Sequence, residues 1–215
     1  MELVEVDTRL AYETVREKIV SLALAPGALL NEQALAQEIQ TGVEPVREAL
    51  RLLAFDGLVT FTPRHGIYVA DINLTDLEQL SEIRLTLEPL CARLAALRCG
   101  QDEWTVLEAL RAQQLAADPQ DSQRLLDIDH KFHQALTRAA GNKYLARSLD
   151  LLFGLSQRLW TVVLPKLDFL SDAVAEHLEM MDAIRHQDAD QAEKLMYRHV
   201  KTFYDRVRRI LQTGK

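Results

Sequence analysis

The chain has 215 residues, 48% hydrophobic and 27% charged, with a formal net charge of −7. That length suits one larger domain or two small ones. The acidic balance excludes nucleic-acid binding by bulk charge, so any DNA-contacting surface has to be local. No apolar run is long enough to span a membrane and no signal peptide opens the chain, so a soluble cytoplasmic protein is expected. Cys91 and Cys99 fall eight apart in one predicted helix, roughly 12 Å along its axis, too far to pair there; they read as buried free thiols.

Residues 1–72 read as a small helical domain ending in a hairpin. Leu10, Val15, Ile19 and Leu22 give a rough helical stripe with Asp7 or Thr8 as N-cap, and Ala25-Pro26-Gly27 ends it. Asn31 caps a second helix with Ala34, Leu35 and Ile39 apolar. After the break at Gln40-Thr41-Gly42, a third helix runs from about Glu44 to Phe55, with Pro45 in its first turn. Its inner face is Val46, Ala49, Leu50 and Leu53, and Arg47 and Arg51 share its outer edge. Two short helices around a tight glycine-containing turn suit a helix-turn-helix. Leu58–Phe61 and Ile67–Val69 then read as strands joined by Pro63-Arg64-His65-Gly66. A hairpin so placed is either a DNA-binding wing, with Arg64 and His65 at its tip, or part of a generic three-helix domain; pattern alone leaves both open.

Residues 73–215 read as all-helical. Thr75 with Glu78 forms a capping box. A long helix follows to about Arg98, its stripe Leu77, Leu80, Leu87, Cys91 and Leu94, with a kink expected at Pro89. Arg84 lies on that stripe. It is either paired with Glu88 within the helix or an anion clamp, since a guanidinium matches a carboxylate bidentately. Further helices are predicted at about 102–117, 121–140, 143–164, 168–186 and 188–213, with Pro165 among the breaks. The fold class is therefore mainly α, a winged-helix-like N-terminal part followed by a six-helix antiparallel bundle.

Four residues on apolar stripes of this bundle belong together. Asp129 and His133 are four apart and share a helix face. His177 and His199 lie eleven residues either side of the turn at Asp188, so an antiparallel helix pair brings them level. One carboxylate and three imidazoles at one place make a plausible site for a divalent transition metal: zinc, nickel, manganese or iron. His130 and His186 fall on other faces.

The run Ala25-Pro26-Gly27-Ala28-Leu29-Leu30-Asn31-Glu32, then Pro45-Val46-Arg47-Glu48-Ala49-Leu50-Arg51, Asp56-Gly57-Leu58-Val59 and Gly66 resembles the winged helix-turn-helix of the GntR family of bacterial transcription regulators. The resemblance implies DNA contacts from Arg47 and Arg51 and from the wing tip at Arg64, His65 and Gly66. One departure stands out: the family usually carries Ser-Arg-Thr before the proline, and this chain has Gly42-Val43-Glu44. Residues 1–73 also hold six basic and eleven acidic residues, a net of −5, so weak or unusual DNA binding is expected. The second half, through Glu82-Ile83-Arg84, Leu87-Glu88, Asp129-x-x-Phe132-His133, Gly141-Asn142, His177 and His199, is similar to the FCD effector domain of the FadR subfamily, and its six helices resemble the VanR-type branch. That resemblance implies a divalent metal on Asp129, His133, His177 and His199, a small carboxylate effector beside it held by Arg84, and a homodimer on an operator in double-stranded DNA. Two other readings remain: a regulator without autonomous DNA binding that acts through a partner protein, and a metalloenzyme with Glu88 as the nearest candidate base.

Overall fold

The computed structural model describes residues 2–163 and 169–213; the expected break at Pro165 lies outside them. The described chain divides into two compact units, residues 1–73 with 154–161, and residues 74–153 with 162–215.

The first unit begins with α1 (Glu2–Val20), which starts earlier than the predicted cap at Asp7 or Thr8. Its buried face is Ala11, Val15 and Ile19, while Leu10 is half exposed. The core-facing position is thus Ala11, in register with Val15 at i+4, and Leu22 lies beyond the helix. Strand β1 (Leu29–Leu30) leads into α2 (Glu32–Ile39), whose N-cap Asn31 accepts a hydrogen bond from the Ala34 amide at 2.9 Å. Leu35 is buried in α2 as expected, and Ala36 is buried with it in place of Ala34. Helix α3 (Val43–Phe55) buries Pro45, Val46, Ala49, Leu50 and Leu53 against α1 and α2. Strands β2 (Val59–Thr62) and β3 (Gly66–Val69) form the expected hairpin. The short β1 pairs with β3 on its other side, giving a three-stranded antiparallel sheet in the order β1-β3-β2. Two residues are too few to show a period, which is why the hairpin alone was legible. At the wing, Gly66 has φ +119°, a backbone conformation that residues with a Cβ rarely adopt, which favours glycine there.

The second unit is built from α4 (Leu74–Arg98), α5 (Gln101–Leu115), α6 (Ser122–Ala139), part of α7 (Lys143–Val163), α8 (Leu170–Arg185) and α9 (Ala189–Thr213). Helix α4 continues through Pro89 and starts at Leu74, with Thr75 in its first turn. Asp121 caps α6 through the Arg124 amide at 3.0 Å, and Asp188 receives the Gln191 amide at 3.0 Å at the start of α9. The turn between α8 and α9 contains Gln187 at φ +56°. It reverses the chain tightly and sets α8 and α9 side by side, with α4 packed along α9. Among the described residues, no helix is long and apolar enough to cross a membrane.

Candidate metal centre and nucleic-acid interface

Asp129, His133, His177 and His199 converge, each offering one ligand atom, with all four atoms within 4.8 Å of one another. Helix α6 supplies the first two at i and i+4, α8 supplies His177 and α9 supplies His199. Asp129 Oδ1 lies 3.3 Å from His177 Nε2, 3.7 Å from His133 Nε2 and 3.8 Å from His199 Nε2. His133 Nε2 and His199 Nε2 are 3.3 Å apart. Donors about 2.1 Å from one ion stand about 3.0 Å apart at a right angle and about 3.4 Å apart at the tetrahedral angle, so these four spacings are near what a shared cation needs, and the widest in the set, up to 4.8 Å, would close on it. The three histidines are buried, and Asp129, 14% exposed at its side chain, marks the open side of the cluster. The ring of Phe132 stacks on His177, 4.0 Å between centroids, and fixes its plane.

The second nitrogen of each ring has its own partner. His133 Nδ1 is 2.8 Å from Glu88 Oε2 of α4, and His199 Nδ1 is 2.9 Å from Glu176 Oε2 of α8. His177 Nδ1 is 3.1 Å from Gln114 Nε2 of α5. Three buried atoms among these groups are without a hydrogen bond: Glu88 Oε2, which keeps its ion-pair contact with His133, and His177 Nε2 and Gln114 Oε1. The last two have the same remedy. With Nε2 given to a cation, the ring proton sits on Nδ1, and a half-turn of the Gln114 carboxamide presents Oε1 as its acceptor. The donor set and its orphaned atoms therefore fit a divalent metal.

Burial disfavours charge throughout this cluster. At His133 it is outweighed by the carboxylates of Glu88 and Asp129, which lift the imidazole to a pKa of about 9. At His177 burial prevails, reinforced by His199 and His133, and the pKa falls to about 4 despite Asp129. Glu88 resists its own burial through Arg84 and His133, which hold it at about 2. Asp129, partly desolvated, is kept well below the carboxylate range chiefly by His133.

Arg84, only 6% exposed, donates from Nε to Glu88 Oε1, and its Nη1 lies 3.2 Å from the Tyr204 hydroxyl; its guanidinium sits over the rings of Phe153 and Tyr204. The intrahelical pair expected as one alternative is present, and it extends to the metal cluster: Arg84 to Glu88 to His133. Glu176 and Gln114 were missed in the sequence. Gln114 had a signal, a polar residue seven after Leu107 and four after Leu110 on the buried stripe of α5. Glu176 had only its place beside His177. His130 and His186 do not join the cluster.

In the first unit, Arg47 binds Glu32 with both Nε (2.9 Å) and Nη2 (3.1 Å), and its Nη1 donates to Glu44 at 2.5 Å. Arg51 Nη1 donates to Glu48 at 3.1 Å. Arg64, His65 and Gly66 are exposed at the wing tip, Arg64 at φ +65°, and the Tyr68 hydroxyl donates to the His65 carbonyl at 2.9 Å.

A winged helix-turn-helix followed by a helical unit with a metal-competent centre defines a class of two-part DNA-binding regulator. Residues 8–69 match the bacterial regulatory proteins of the gntR family, and residues 79–202 match the FCD domain. The chain belongs to the gntR family of transcription regulators, in the group that carries an FCD domain. It is similar to the HTH-type transcriptional repressor RspR of Escherichia coli (strain K12), with 28% identity over 94% of this chain and 89% of the relative. Similarity to the HTH-type transcriptional repressor GlaR of the same strain is 29% over 89% and 91%. The solved structure of E. coli McbR/YncC shares the fold, with a TM-score of 0.81 at 18% identity over 94% and 97% of the two chains. RspR and GlaR are named as transcriptional repressors and the family is one of regulatory proteins, which sets the metalloenzyme reading aside.

Proposed function

We propose that this regulator binds double-stranded operator DNA as a homodimer through residues 1–72, and that a small organic acid bound beside a divalent metal in residues 73–215 controls its affinity. The cluster of Asp129, His133, His177 and His199 with a dedicated partner behind every imidazole carries this reading. The bound metal would supply a Lewis-acidic centre for one carboxylate oxygen of the effector. Arg84 is the group we assign to the other carboxylate oxygen. To serve it, Arg84 would exchange the Tyr204 hydroxyl of α9 for the ligand while keeping Glu88, which shifts α4 against α9. The six helices of the FCD part support the VanR-type branch of the FadR subfamily. For the dimer we assign the outer seam of α4. Ile83, Leu87, Leu90, Leu94 and Leu97 alternate four and three apart, the spacing of a two-helix seam. Ile83, Leu90 and Leu97 are 47%, 41% and 55% exposed.

The test combines metal analysis of the purified protein with anisotropy titrations on a selected genomic fragment, with and without a panel of small carboxylic acids. Stoichiometric metal, lost in His133→Ala, together with an acid-dependent change in DNA affinity is the expected result. Metal-free protein whose response to every acid survives His133→Ala would defeat the reading. The engagement of Arg47 by Glu32 and Glu44 favours one second reading, a regulator that reaches DNA only through a partner protein. It predicts no salt-sensitive DNA affinity at low ionic strength.

A further inference from the structure

The start of the recognition helix is chemically unlike the arginine-led pattern noted above, and the structure shows how its residues are disposed. Val43, the first residue of α3, packs against the core of the first unit. Glu44 is therefore the first side chain that α3 shows to solvent, 78% exposed, while Arg47 is only 36% exposed. Arg47 does not compete for that position. Glu32, itself 25% exposed, grips it with two hydrogen bonds, and its remaining Nη1 steadies the Glu44 carboxylate at 2.5 Å. The array Glu32–Arg47–Glu44 thus carries an oriented acceptor at its outer end, with a neighbouring guanidinium to offset its charge near phosphates.

N-terminal residues of a recognition helix are those that reach base edges in the major groove. There a carboxylate can only accept, and the amino donors available are cytosine N4 and adenine N6. Adenine sets its N7 acceptor beside N6, which repels a carboxylate. Cytosine has C5–H beside N4 and no such penalty. Guanine offers only the O6 and N7 acceptors and is rejected.

We propose that Glu44 is a specificity-determining residue that reads a cytosine in each operator half-site, held in place by Arg47. This rests on the DNA-binding reading above. The experiment is selection from a randomised duplex library with the full-length protein and its Glu44→Ala and Glu44→Gln variants, followed by titration of the winning site mutated at each position. The wild type should require cytosine at one position of each half-site, by roughly tenfold or more over the other bases. Glu44→Ala should select the rest of the same site and become indifferent at that position. Glu44→Gln should change its preference there to adenine, because a carboxamide pairs with N6 and N7 together. An identical consensus from all three proteins would overturn the proposal while leaving DNA binding intact, as would a Glu44→Ala protein that binds more tightly without altered base preference. No selected duplex with any of the three would overturn the proposal together with the reading it rests on.

Discussion

Each imidazole of the cluster commits its second nitrogen to a different neighbour, and the neighbours differ in charge. Two are carboxylates, Glu88 and Glu176, and one is the Gln114 carboxamide. Such partners hold ring orientation and raise ligand basicity, and losing one typically costs about 10–100-fold in metal affinity. Glu176 is the clean position to test, because its side chain is 28% exposed and its substitution strands no buried charge. Glu176→Gln should weaken metal binding by that factor in competition with a chromophoric chelator, and His186→Ala should leave it unchanged. Glu88 is a different case. It also neutralises buried Arg84, so Glu88→Gln should in addition destabilise the fold by about 3–5 kcal/mol, the usual cost of a buried charge left unpaired. Urea unfolding of the metal-free protein separates the two effects.

Helices α2 and α4 illustrate how single elements earn their place. Helix α2 has eight residues, too short to be stable alone, and its start depends on the Asn31 side chain. Asn31→Ala should cost about 1 kcal/mol by urea unfolding. A loss below a few tenths would show that the packing of Leu35 and Ala36 suffices. Helix α4 uses two faces. Leu77, Leu80 and Cys91 are buried within its unit, and the Ile83–Leu97 seam is turned outward. Leu90→Glu places a charge in the middle of that seam and should convert a dimer to a monomer by light scattering while the circular dichroism of the helices is kept. A dimer that persists would move the interface elsewhere.

For the whole molecule, charge sets the character of DNA binding. The net of −5 over residues 1–73 leaves Arg47, Arg51 and Arg64 as the arginines near the expected DNA face, and the first two already face carboxylates. Three phosphate contacts per protomer correspond to a log–log salt slope of about −5 for a dimer, roughly half that of a strongly electrostatic repressor. Titration from low to moderate salt measures it directly. A slope near −10 would mean that basic residues beyond these three reach the backbone.

Periodicity and spacing determined a good deal without coordinates. The helices of both parts followed from apolar stripes and their breaks, and the cluster of Asp129, His133, His177 and His199 from i, i+4 geometry and equal distance from the Asp188 turn. The Arg84–Glu88 pair was legible for the same reason, since one helix specifies which of its own residues meet. The family followed from its motifs. Tertiary structure alone decided the rest: that Glu88 turns its second oxygen to His133, that Gln114 and Glu176 stand behind the other two rings, that β1 completes the wing sheet, and that Glu32 takes Arg47. Each of these contacts joins different elements. Their existence depends on how one helix is rotated and shifted against another, which the packing of the complete core settles and the period of a single helix does not.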